Sequence, residues 1–263
     1  MKSLANEFFL TMQKGAEAHQ KEHADKYALL ANGTRDEQEI AKQQQLVEQM
    51  TGQKVAAIVI APIDSKAMVP VCKKAVDAGI PVINIDNKFD DAVLTENNLK
   101  IPFVGPDNRK GAKLAAEFLA KKLTKGDSVA ILEGNPTAFN GQQRKAGFED
   151  GLKAAGITIA ASQSANWETD QANKVASAIL TAHPTIKALL CANDSMALGA
   201  VAAVKAAGKQ GQIQIVGFDN IDAVKQLVKD GTVLCTVDQH GDQLAAYGID
   251  YALEMLEKKS SPA

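Results

Sequence analysis

Three apolar runs in this chain end on a carboxylate beside a carboxamide. Asp86 and Asn87 close Val82-Ile83-Asn84-Ile85, Asn193 and Asp194 close Leu189-Leu190-Cys191-Ala192, and Asp219 and Asn220 follow Ile215-Val216-Gly217-Phe218. Carboxylates gathered in one place can shuttle protons or hold a hard cation. The carboxamide beside each points elsewhere: amides donate and accept hydrogen bonds without exchanging protons, so the set suits recognition of hydroxyl groups, and no catalytic residue is assigned. Some of these residues must also cap the helices that follow, and Asp194 is expected to do so, leaving Asn193 to face a cleft.

Other chemistries lack their signatures. The chain has neither GxxxxGK[ST] nor a strand-linked GxGxxG to cradle phosphate, and no GxSxG nucleophile elbow. His19-Gln20-Lys21-Glu22-His23 matches the HxxEH pattern of inverted zinc proteases, but Lys14, Lys21 and Lys26 around it mark a solvated helix face, so neither a metal nor a cofactor is expected. Cys72, Cys191 and Cys235 are odd in number, widely spaced and set in apolar sequence, which fits small buried hydrophobes. Aromatic residues make up only 5% of the chain, yet Phe8 and Phe9 follow Asn6-Glu7, and the single tryptophan, Trp167, follows Asn166. Flat apolar faces flanked by carboxamides match the C–H face and the hydroxyls of a sugar. Of Phe8 and Phe9, one ring is expected in the cleft and the other partly in the core.

The elements that must carry these residues alternate almost throughout. Strand-length apolar runs fall at 27–31, 55–60, 82–85, 128–132, 157–161, 188–191, 212–216 and 233–237, and helical periodicity at 38–50, 66–78, 109–123, 142–155, 170–182, 195–206 and 221–229. Such alternation specifies an α/β protein built of parallel βαβ units with helices on both faces. In such a sheet, ligands bind outside the carboxyl ends of the strands, where the polar pairs stand. Gly79, Gly156 and Gly208 each follow a helical run and are expected in the left-handed conformation that ends it. The segment 101–108, with two prolines and a glycine, is expected to be a strand crossing between two lobes.

A length of 263 residues accommodates one large domain or two medium ones. A net charge of -2, with the lysines scattered along helices rather than clustered, argues against a nucleic-acid partner. No apolar run reaches the roughly 18 residues of a membrane span, and Met1-Lys2-Ser3-Leu4 does not open a secretory signal.

The strings Leu4-Ala5-Asn6-Glu7-Phe8-Phe9, Ile58-Val59-Ile60-Ala61-Pro62-Ile63-Asp64-Ser65, Pro81-Val82-Ile83-Asn84-Ile85-Asp86, Arg144-Lys145-Ala146-Gly147-Phe148, Ala192-Asn193-Asp194-Ser195-Met196-Ala197-Leu198-Gly199 and Val216-Gly217-Phe218-Asp219, in this order, resemble the ribose-binding branch of the type I periplasmic binding proteins that serve ABC importers. The resemblance runs over essentially the whole chain. It implies two doubly wound parallel-sheet lobes joined by hinge strands, residues 1–104 with 239–263 forming one and 105–238 the other, closing on a sugar or polyol. Asn6, Phe8, Phe9 and Asp86 would contact ligand from the first lobe, and Trp167, Asn193, Phe218 and Asp219 from the second, with Gln239 at the second crossing. An inner-membrane ABC permease is the implied transient partner of a monomeric protein, periplasmic or lipid-anchored.

Three departures bear on the ligand. Asn87 and Gln142 stand where ribose binders usually place arginine, and Lys2 where a small hydroxyl residue is common. Each lost guanidinium removes about 1.5–3 kcal/mol of charge-assisted hydrogen bonding, which favours another pentose, a hexose or a sugar alcohol over D-ribose. The resemblance also implies a central first-lobe strand before Met1 and further strand and hinge sequence after Ala263, with a signal peptide upstream; a first-lobe sheet that closed without such a strand would contradict this. The effector-binding core of a sugar-responsive transcription regulator, which needs a DNA-binding headpiece and a dimer surface, remains the alternative, with an enzyme third.

Overall fold

The computed structural model describes residues 1–258. In chain order the elements are α1 (Glu7–Glu22), α2 (Ile40–Gly52), β1 (Ile58–Ile60), α3 (Val69–Asp77), β2 (Val82–Ile85), α4 (Asp91–Glu96), β3 (Phe103–Val104), α5 (Asn108–Ala120), β4 (Ser128–Glu133), α6 (Phe139–Ala154), β5 (Thr158–Ser164), α7 (Thr169–Ala182), β6 (Ala188–Cys191), α8 (Asp194–Ala206), β7 (Gln214–Val216), α9 (Asp222–Lys229) and α10 (Gly241–Lys258). The chain divides into two compact units, one made of Met1–Gly105, Thr137–Phe139 and the stretch from His240 onward, the other of Pro106–Pro136 and Asn140–Gln239.

The first unit holds a parallel sheet in the order β1-β2-β3. β2 is buried along its whole length, as a strand covered on both faces must be. Its core joins Ile58 and Ile60 to Met68, Val69 and Cys72 of the α3 region and to Phe89 and Leu94 beyond β2. The second unit holds a parallel sheet in the order β5-β4-β6-β7, with β6 fully buried at its middle. This is the α/β architecture of two parallel sheets expected from the alternating pattern. Gly79, Gly156 and Gly208 sit at φ +83°, +70° and +65°, ending the helices before them.

Two expected strands differ. Residues 27–31 form no ladder among the described residues; pairing begins at a parallel bridge between Ser3 and Thr34. Residues 233–237 follow β7 through single bridges and bonds such as Gly217 N to Cys235 O, because Asp219 and Asn220 turn to positive φ and break a regular ladder. The segment 101–108, expected as a strand crossing between lobes, pairs Phe103 and Val104 in register with Asn84 and Ile85 of the first unit and passes into the second unit after Gly105.

Candidate functional site

In the first unit, the polar ends of β2 and of the loop before α2 meet the start of α1. Asp86 follows β2 at φ +62°, a conformation that costs about 1–3 kcal/mol in a non-glycine residue and so marks a position held for a purpose. Lys2 is buried, with its Nζ 3.1 Å from Asp86 Oδ2 and 3.4 Å from Glu37 Oε2. Asn6 caps α1 by accepting from Phe8 N at 3.0 Å, while its Nδ2 donates to Glu37 Oε1 at 3.3 Å. Lys2 Nζ also stands 5.4 Å from the Phe9 ring centre. Phe8 and Phe9 meet edge to face at 5.1 Å, and both are buried, so the expected division of one ring to a cleft and one to the core is not seen. Asp86 Oδ2 has the lysine contact but no hydrogen bond, leaving an acceptor in place for a donor.

Asn87 lies one residue from this cluster and faces away from it. Its Nδ2 donates to Pro62 O at 2.9 Å and its Oδ1 accepts from Ser65 Oγ at 3.3 Å. Asn84 completes the web, donating to Asn87 O at 2.8 Å and accepting from Phe89 N at 2.8 Å. These amides hold the loops after β1 and β2 in shape.

In the second unit the centre is Arg144, buried in α6. Its Nε donates to Asn108 Oδ1 at 2.8 Å, Nη1 to Ala192 O at 2.8 Å and to Asp219 Oδ1 at 3.5 Å, and Nη2 to Gln239 Oε1 at 3.3 Å. The guanidinium carbon lies 3.9 Å from the Phe218 ring centre and 5.5 Å from that of Trp167. Gln239 Nε2 donates to Asp219 Oδ1 at 2.6 Å. Trp167, at φ +70°, fits against Gly134, where a Cβ would stand 2.1 Å from the indole.

Two assignments change here. Gln142 is exposed and donates to Pro136 O at 2.8 Å, whereas Arg144, two residues on and about 200° round the helix, lies on the buried face, so Arg144 and not Gln142 stands in the cluster and position 142 still carries no guanidinium. Asn193, not Asp194, caps α8, because it has the extended φ of -150° and ψ of 170° that a cap requires and accepts from Met196 N at 2.9 Å. Its Nδ2 donates to Trp167 O at 3.3 Å, so it steadies the indole's backbone. Asp194 is buried beneath, accepting from Thr236 Oγ1 at 2.8 Å and Ile221 N at 3.0 Å, and burial pushes its carboxyl up to about 6 against those hydrogen bonds.

Arg144, Asn108 and Glu37 were absent from the residues singled out by sequence. Arg144 stood within a quoted string, and its lone positive charge on an otherwise buried helix face, beside Gly147 and Phe148, was the available signal. Glu37 lies in polar loop sequence, and Asn108 is a polar residue at the first position of α5, with no signal to set either apart.

The HxxEH pattern resolves into a hydrogen-bonded stack. His19 and His23 lie ring on ring at 4.3 Å, and both His19 nitrogens are engaged, by Tyr27 Oη at 2.7 Å and Asp250 Oδ1 at 3.0 Å. Burial pushes the Cys72 thiol up to about 12 and that of Cys235 up to about 11, as befits packing residues. Among the described residues no helix is long and apolar enough to cross a membrane.

Each unit thus carries buried, ion-paired hydrogen-bonding groups beside aromatic rings, the equipment of a protein that binds small polar solutes. The chain belongs to the periplasmic binding proteins, matching the periplasmic binding protein domain over residues 1–260. It is 59% identical over 256 residues to the D-ribose/D-allose-binding protein of Pseudomonas aeruginosa, covering 97% of this chain and 80% of that protein. Among solved structures it resembles an ABC transporter solute-binding protein of Burkholderia multivorans (57% identity, TM-score 0.98, covering 98% and 92% of the two chains). It also resembles a periplasmic solute-binding protein of Actinobacillus succinogenes 130z with bound D-allose (41% identity, TM-score 0.92, covering 100% and 91%). The family consists of substrate-binding transport proteins.

Proposed function

We propose that this protein is the periplasmic sugar receptor of an ABC importer, with D-allose and D-ribose as its first candidate ligands. The observation that carries this is the pairing, in each unit, of a buried carboxylate with a cation: Asp86 with Lys2, and Asp219 with Arg144. Vicinal hydroxyls donate to a carboxylate while accepting from an ammonium or guanidinium, and charge-assisted bonds of this kind are about twice as strong as neutral ones. Trp167, Phe218, Phe8 and Phe9 supply apolar faces for the sugar's C–H groups. A carboxylate already ion-paired suits accepting a hydroxyl hydrogen better than carrying a proton through a reaction.

Ligand contacts from both units favour the closed arrangement by their differential affinity, and that closed form is what an inner-membrane permease would engage. The positions of Asn87 and Gln142 still lack the guanidinium groups of a ribose binder, which favours D-allose over D-ribose, and D-ribose stays on the panel because a 59% identical relative is named for both sugars.

A thermal-shift panel of D-allose, D-ribose, other aldoses and myo-inositol tests this, with the fluorescence of the single tryptophan as a second signal. A ligand at 100 times its Kd adds about 2.7 kcal/mol of stability. The proposal fails if no sugar or polyol raises the midpoint while a charged amino acid does.

A further inference from the structure

The indole of Trp167 is buried in a slot made by two glycines of the second unit. A Cβ added at Gly134, directly after β4, would stand 2.1 Å from the indole carbons Cζ2 and Cη2 and 2.4 Å from Cε2. One added at Gly141, in α6, would stand 3.0 Å from Cζ2 and from Asn135 O. Neither glycine has a positive φ, so the backbone does not demand glycine at either place. Inside a helix, moreover, glycine costs about 1 kcal/mol relative to alanine. What both positions gain from lacking a side chain is room for the indole.

The loop that carries the ring is fastened and does not retreat to make room. Ala165 N donates to Glu133 O at 2.9 Å and Ser164 Oγ to Gly134 O at 2.7 Å, tying the loop to the same turn that forms the slot. Asn166 N donates to Ser164 Oγ at 3.2 Å, and Asn193 Nδ2 to Trp167 O at 3.3 Å. Asn166 and Trp167 stand at φ +50° and +70°, conformations that only such fastening maintains. With the backbone tied, the depth of the ring is set by what stands at 134 and 141.

We propose that Gly134 and Gly141 are specificity-determining positions, which recess the indole and so set how large a sugar fits against it. The inference rests on the reading of Trp167 as an apolar face for the sugar's C–H groups, and it concerns residues that act through the ring rather than by touching ligand. Carbon atoms in ordinary contact lie about 3.5 Å apart, so a methyl group at 134 drives the ring outward by roughly 1.4 Å (3.5 minus 2.1), the scale of one carbon–carbon bond. A hexose exceeds a pentose by that kind of increment: D-allose carries a hydroxymethyl carbon that D-ribose lacks.

The test measures Kd for D-allose and D-ribose by titration calorimetry on the wild-type protein, Gly134→Ala, Gly141→Ala and Gly134→Ala/Trp167→Phe. One methylene in a pocket changes discrimination by about 10-fold or more, so Gly134→Ala should weaken D-allose at least that much more than D-ribose. Gly141→Ala should move the ratio the same way by a smaller factor, since its Cβ stands farther from the ring, at 3.0 Å. Phenylalanine lacks the benzo edge that meets the new methyl group, so the double variant should return the ratio to near its wild-type value. A ratio of affinities does not depend on how much of a variant folds, and Gly141→Ala, favoured by helix propensity, carries the test should Gly134→Ala fail to fold. An unchanged ratio in the alanine variants, or a shifted ratio that Trp167→Phe leaves shifted, overturns this inference alone. A wild-type protein that binds neither sugar overturns the underlying reading of the site and this inference with it.

Discussion

Replacing Arg144 with methionine removes the centre of the second cluster while keeping an unbranched apolar stem of similar length. The variant loses hydrogen bonds to Asn108 Oδ1 and Ala192 O, both at 2.8 Å, and leaves Asp219 buried without its cation. Breaking a buried pair from one side costs about 3–5 kcal/mol. The lower end is expected here, because Gln239 still donates to Asp219 Oδ1 at 2.6 Å and the ion-pair separation is 3.5 Å. Urea unfolding followed by Trp167 fluorescence reports on the unit concerned, since the ring lies 5.5 Å from the guanidinium. In a double-mutant cycle with Asp219→Asn, which removes the charge and keeps the shape, Arg144→Met should cost less by about 1.5 kcal/mol or more, at the upper end of coupling between neighbours. A single-variant cost under about 1 kcal/mol, or a cycle that is additive, would refute the view that Arg144 and Asp219 neutralise one another in the buried cluster.

Lys2→Met leaves Asp86 and Glu37 buried together without their shared cation, and should destabilise the protein by about 3–5 kcal/mol, with much of the loss recovered in Lys2→Met/Asp86→Asn; equal midpoints for wild type and the single variant would contradict the ion contacts described. Asp194, raised from 3.8 to about 6 by burial, holds its proton more tightly folded than unfolded, so its contribution to stability is fully present below about pH 4 and lost as pH rises through 6. The loss amounts to about 3 kcal/mol at 1.36 kcal/mol per unit. Asp194→Asn should remove that slope, and a wild-type-minus-variant difference in unfolding free energy that stays constant from pH 4 to 7 would count against it.

The strands that sequence located best, 82–85 and 188–191, are those buried on both faces, where an unbroken apolar run leaves little choice. Residues 27–31 carry the same signature without a ladder among the described residues, because a strand is a property of two edges and periodicity reads only one. At the site, Asp86, Asp219, Phe218 and Trp167 were legible because polar or aromatic residues at strand ends have few structural uses. Arg144 was not, since an arginine inside a helical pattern reads as surface until the fold shows which face it occupies. The exchange of roles between Asn193 and Asp194 turned on φ and ψ at one residue, which composition cannot supply.

The amide web of Asn84 and Asn87 has an evolutionary consequence. It fastens the loops after β1 and β2 to backbone carbonyls and to Ser65, without using Lys2, Asp86 or Glu37. The shape of the first unit's rim is thereby inherited separately from its charges. Descendants of such a chain can change the charges at positions 2, 37 and 86 together, as the buried pairs require, while the loops that present Asp86 keep their form.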